Sequence, residues 1–314
     1  MKKKKTALIT SAGGHGFMEL NFGKLYNRKI VACSEKDNKE DFEKETADIY
    51  ERLSAFAPDM EMATWEDRAK IRKKGISYRQ KLLDKKLNEN DWDKFAQTSL
   101  SPQTNKQLPQ FRGLNSQSLV VMLIPQKLFT DGKCGLSAKQ QTVPLAAFNS
   151  FKHEKENTYL LGQHFHAVND FEHVQNIAKD FNMYIPGEKE EKHVFGIRGV
   201  PHDQFLNMFK KVDMSIGIAG THTWYMLTCF PEKPQIIFYN KNGTEDWNAI
   251  AKAYQKQGYP IYAMGYDENT DWKKFALETK ALYSKLSKRI KKEKEKTKSQ
   301  QLSSIIKAKQ NPRK

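Results

Sequence analysis

Cysteine is scarce in this chain, with three in 314 residues, at 33, 134 and 229. No two of them form a CxxC pair, which excludes a disulfide framework and a cysteine-based zinc site as organising devices. Long apolar runs are missing too, and none approaches the ~18 residues that a membrane-spanning helix needs. The basic start, Met1 to Lys5, leads only into the short apolar run Thr6 to Ala12, so no secretory signal is read there. No repeat of solenoid period is found. These absences lead us to expect a cytoplasmic protein built on an ordinary hydrophobic core.

Acidic residues are outnumbered, 37 Asp and Glu against 53 Lys and Arg, for a net charge of +16. The excess is not spread evenly. Residues 285–314 hold twelve Lys or Arg and two Glu, and Lys2 to Lys5 add four more positive charges, so the body between carries only about +2. A basic groove across the fold is therefore not expected, and nucleic acid is not the expected partner. A lysine-rich tail at residues 285–314 fits attraction to an anionic membrane surface instead.

Strand and helix patterns alternate along the chain. Thr6 to Ala12 is an apolar run suited to a central parallel strand. A helical segment from Phe17 and a second strand at Lys29–Cys33 complete a βαβ opening. Asp41 to Phe56 has helical spacing, residues 64–87 are charged and helical, and residues 98–118 read as loop. Leu119 to Ile124 is a strand. Further strands are expected at 158–162, 192–197, 213–218, 235–239 and 261–264, with helices between them and a terminal helix from Asp271 to Ile290. The expected fold class is α/β, with two Rossmann-like domains whose parallel sheets face a cleft, followed by a basic helical tail. The expected divisions are residues 1–150, 151–284 and 285–314.

Two strand exits carry the chemistry. In Ser11-Ala12-Gly13-Gly14-His15-Gly16, Gly13 and Gly14 let backbone amides approach a ligand, and His15 is a candidate general base. It is neither a phosphate-binding Gly-Lys-Ser/Thr loop nor a full dinucleotide fingerprint. The second exit is Asp213 to Trp224, a buried strand, a turn at Ala219-Gly220, and a helix expected to be capped by Thr221. Open amides at a helix start suit a diphosphate. Gly220, Thr221, His222 and Thr223 are the candidates to hold it, assisted by Arg198 beyond the strand at 192–197. His164 and His166 could ligate a metal, but the sequence assigns no third ligand. Lining the same cleft is the preferred reading for both.

The segment Ala7 to Leu20, with Ser11-x-Gly13-Gly14-His15 and then Glu19-Leu20, resembles the opening of two-domain nucleotide-sugar glycosyltransferases of the GT-B fold. Among these it is most similar to the GGH-loop group of lipid-linked-sugar and exopolysaccharide enzymes. Asp213 to His222 resembles their donor loop. The resemblance implies a metal-independent glycosyltransferase with no bound cofactor. It would move a sugar from a nucleotide-sugar to a glycan or lipid-linked acceptor, with His15 as base, and would act in the cytoplasm or at the inner membrane face. The alternatives are another nucleotide-binding α/β enzyme, epimerase or dehydrogenase-like, and a non-catalytic basic protein docking to membrane or nucleic acid.

Overall fold

A computed structural model describes residues 6–12, 14–33, 36–54, 56–100, 118–122, 159–161, 183–184, 212–267 and 269–310. The protein is α/β, with two parallel sheets. The first contains β1 (Thr6–Ile9), β2 (Arg28–Val31), β3 (Glu61–Met62) and β4 (Ile76–Ser77), in the order β3-β2-β1-β4. Its helices are α1 (Gly14–Gly23), α2 (Lys39–Leu53), α3 (Arg68–Lys74), α4 (Tyr78–Leu83) and α5 (Glu89–Ala96).

Local chemistry explains these elements. Asn38 caps α2 by accepting the Asp41 amide, Glu40 and Asp41 sit in its positive first turn, and Arg52 lies in its last. Phe42, Ile49 and Leu53 are buried on one face of this amphipathic helix. By contrast, α1 is buried along almost its whole length, as a helix between two layers must be. Gly75 precedes β4 because a Cβ there would lie 2.4 Å from the Leu8 side chain. Without a side chain, β4 can pair with β1 at Ala7 and Leu8.

The second sheet contains β5 (Ser118–Met122), β6 (Tyr159–Leu161), β7 (Met183–Tyr184), β8 (Val212–Ile218), β9 (Gln235–Asn240) and β10 (Ile261–Tyr266). With them come α6 (Thr221–Cys229), α7 (Trp247–Lys256) and α8 (Trp272–Gln310). The order is β10-β9-β8-β5-β6-β7, all parallel. Counted from β5 among the described strands, this is the 3-2-1-4-5-6 order of a doubly wound sheet, whose winding reverses between β5 and β8. Because β5 pairs with β8, Ser118–Met122 belongs to the second sheet. An apolar run identifies a buried strand but not the sheet it joins.

The two halves share one hydrophobic core. Helix α1 packs on α6, and α5 packs on α7. Phe17 lies 3.9 Å from Tyr225 between ring centroids, and Trp92 lies 6.3 Å from Trp224. Phe95 meets Trp224 edge-on. Each such ring contributes about 1.5–3 kcal/mol by leaving water, so this seam is a principal source of cohesion between the halves.

Helix α8 is longer than the sequence pattern suggests. Its 39 residues span about 58 Å. Phe275, Tyr283 and Leu286 are buried, and Lys294 Nζ lies 2.6 Å from Asp213 Oδ2. The helix thus stays tied to the body nine residues past the expected start of the tail at 285. From 295 to 304 it is exposed. Among the described residues, no helix is long and apolar enough to cross a membrane.

Candidate functional site

The β1 exit turns directly into α1. Gly14 opens the helix and is buried. Gly16 fixes how closely the helix returns to the strand, because a Cβ there would stand 1.9 Å from the Ser11 carbonyl oxygen. Glu19, one turn on, is fully buried and collects the strand ends. It accepts the Thr10 amide at 2.6 Å, the Thr10 and Ser77 hydroxyls, and the Arg79 amide. Burial pushes its pKa up, and these hydrogen bonds only partly offset that. Glu19 is thus a buried girder that holds β1, β4 and α4 in register.

His15 differs from its neighbours on α1. Its side chain is 31% exposed, and Nε2 lies 3.1 Å from Oε1 of Glu245, which precedes α7 in the other half. The Thr244 hydroxyl donates to the second Glu245 oxygen at 2.8 Å. Burial would raise the Glu245 pKa, but the hydrogen bonds from His15 and Thr244 outweigh it and hold the carboxyl below its usual value. An ionised carboxylate can only accept. Nε2 of His15 therefore carries the shared proton, and Nδ1 is left as the basic nitrogen of the neutral ring. The His15 ring centroid is 6.4 Å from that of Trp224, on the first turns of α6. The two exits thus converge.

At the β8 exit, the N-cap of α6 is Gly220, in ordinary extended backbone, and Thr221 is the first helical residue. This corrects the expectation that Thr221 caps. The capping oxygen comes from Thr223, whose hydroxyl accepts the Gly220 amide at 3.1 Å, while the Thr223 amide donates to the Gly220 carbonyl. Thr223 is buried. The Gly220 amide and Thr223 hydroxyl, both expected to meet a ligand, thus bond each other. The amides of Thr221 and His222 remain in the first turn, where a helix provides no internal acceptor. The side chains of Thr221 and His222, and all of Gly13, His164, His166 and Arg198, lie outside the described residues.

Beside Glu245 opens a cavity of about 420 Å³. Leu82, Leu87 and Trp92 line it from the first half, and Tyr239, Asp246 and Asn248 from the second. Burial, then proximity to Asp246, raises the Tyr239 pKa. Asp246 accepts the Ala249 amide and caps α7.

Several of these residues escaped the sequence reading. Asn88 and Asp91 form a capping box that starts α5, a signal legible in the Asn-x-x-Asp spacing. Of the two carboxylates flanking Trp92, Asp91 is held in that capping box and Asp93 pairs with Lys256 at 2.9 Å. Glu245 had no local signal, since its partner is 230 residues away. Among the described residues, no group of three or more His, Cys, Asp or Glu is placed to hold a metal.

No protein-family model, curated protein or solved structure matches the chain.

Proposed function

We propose that the protein is a glycosyltransferase. It would transfer a sugar from a nucleotide-sugar to a glycan or lipid-linked acceptor without a metal, in a GT-B-like arrangement of two Rossmann-like halves. The observation that carries this reading is the pairing of His15, in the helix that follows β1, with Glu245, in the loop that follows β9. Ligands of such sheets bind beyond the carboxyl ends of the strands.

In this reading His15 Nδ1 removes the proton from the acceptor hydroxyl, and Glu245 fixes the ring and stabilises its cation as it forms. The first-turn amides of α6, with the positive end of that helix, stabilise the departing diphosphate. The lysines of α8 hold the enzyme at the inner face of an anionic membrane, each contributing about 1 kcal/mol close to the surface.

A second reading, a dehydrogenase-like enzyme, draws support from the 3-2-1-4-5-6 strand order. Thermal-shift measurements with UDP, GDP, CMP and NAD separate the two. A ligand at a hundred times its Kd stabilises the fold by about 2.7 kcal/mol. A shift with a nucleoside diphosphate supports the transferase, and a shift with NAD alone overturns it.

A further inference from the structure

We propose that the groove beside Glu245 is a saccharide site, taking an uncharged sugar ring of the acceptor. The identification of that sugar as the acceptor rests on the glycosyltransferase reading. The saccharide chemistry of the groove stands on its own lining.

Its volume of about 420 Å³ falls within the range of roughly 300–1,000 Å³ for small-molecule sites. The two walls differ in kind. Leu82, Leu87 and Trp92 supply an apolar wall, and Trp92 is fixed there by its contacts with Phe22 and Trp224. The lining from the second half is polar, with Tyr239, Asp246 and Asn248. A sugar ring has the matching division, an apolar face of C–H groups and a rim of hydroxyls that both donate and accept. Carboxylates have lone pairs to spare for hydroxyl donors, and the Asn248 amide can donate as well as accept.

The charges favour a neutral ring over a phosphorylated one. Asp246 and Glu245 both face the groove, and the nearby Lys241 is tied to Asp267 at 2.9 Å. Lys85 at the rim is the one other cation among the lining residues. A phosphate would meet two carboxylates against one uncommitted lysine, and like charges at close range are unfavourable.

Glu245 links this groove to the base. One of its oxygens holds His15, and Glu245 also lines the groove. A sugar seated here places a hydroxyl at the edge nearest His15.

The test is binding to the full chain, by saturation-transfer NMR and calorimetry. The probes are neutral hexoses, N-acetylhexosamines and the matching hexose 1-phosphates. Asn248→Leu removes an exposed amide. Asp246→Asn removes the charge but keeps a residue able to cap α7. At least one neutral sugar should bind saturably, each variant should bind it about tenfold more weakly, and the 1-phosphates should bind less well than the neutral sugars. Absence of saturable binding by any neutral sugar, unchanged affinity in both variants, or preference for the phosphates would overturn the proposal. Nucleotide-sugar turnover, measured alongside, keeps the two readings apart. Turnover with no sugar bound in the groove sinks the groove alone, whereas saccharide binding with no nucleotide-sugar turnover leaves the groove standing and sinks the transferase.

Discussion

Nε2 of His15 lies 3.1 Å from Oε1 of Glu245, joining the first helix of one sheet to a loop of the other. The contact orients an imidazole with a carboxylate contributed by the opposite half of the molecule. Glu245→Gln keeps the shape but removes the charge that favours the imidazolium. We expect kcat to fall by about ten- to a hundredfold, with KM for the donor little changed. A fall in donor affinity alone would place Glu245 in binding, not in proton transfer.

The same pair sets a pH dependence. The Glu245 pKa is depressed in the fold, so its contribution to stability is present above the ordinary value of 4.5 and is lost as pH falls through the lower native value. Melting temperatures of wild type and Glu245→Gln should therefore differ most near neutrality and converge below that window. A difference that widens on acidification would contradict the assignment.

Glu19 makes the opposite demand. Its pKa is raised, so its contribution is fully present below 4.5 and declines as pH rises through the higher native value. Removing the side chain is a separate matter. Glu19→Ala leaves the Thr10 amide, two hydroxyls and the Arg79 amide short of an acceptor, and should cost about 3 kcal/mol or more in urea unfolding.

Gly16 is a packing requirement. A Cβ 1.9 Å from the Ser11 carbonyl cannot be accommodated without moving α1 from β1. Gly16→Ala should destabilise by roughly 1–3 kcal/mol and weaken the His15–Glu245 contact, visible as a change in the chemical shifts of the His15 ring by NMR.

Helix α8 divides into a docked part and a projecting part. Deleting residues 297–314 spares the buried Leu286 and the Lys294–Asp213 pair but removes five of the twelve basic residues beyond 284. The melting temperature should hardly move, and binding to anionic vesicles should weaken by orders of magnitude. Deleting from 285 should also lower stability, because Leu286 leaves the core.

The legible parts of the fold were those written locally. Thr6 to Ile9 is apolar enough to declare a buried parallel strand, and the spacing of Phe42, Ile49 and Leu53 declares the buried face of α2. Where tertiary structure decides, the sequence misled or was silent. A threonine at a helix start looks like a cap, yet Gly220 occupies that position and Thr223 supplies the oxygen from within. The charged stretch 64–87 hid the two-residue strand β4, which exists because β1 offers an edge and Gly75 clears the approach. His15 could be singled out from its glycines, but Glu245 could not, because chain folding alone brings the two together.

The most direct measurement is nucleoside diphosphate release from a panel of nucleotide-sugars by wild type and His15→Ala. The account predicts turnover by wild type on at least one donor, a fall of about a hundredfold or more in kcat for the variant, and donor affinity within a few-fold of wild type. Undiminished turnover in His15→Ala, or no release from any donor by the wild-type protein, would contradict it.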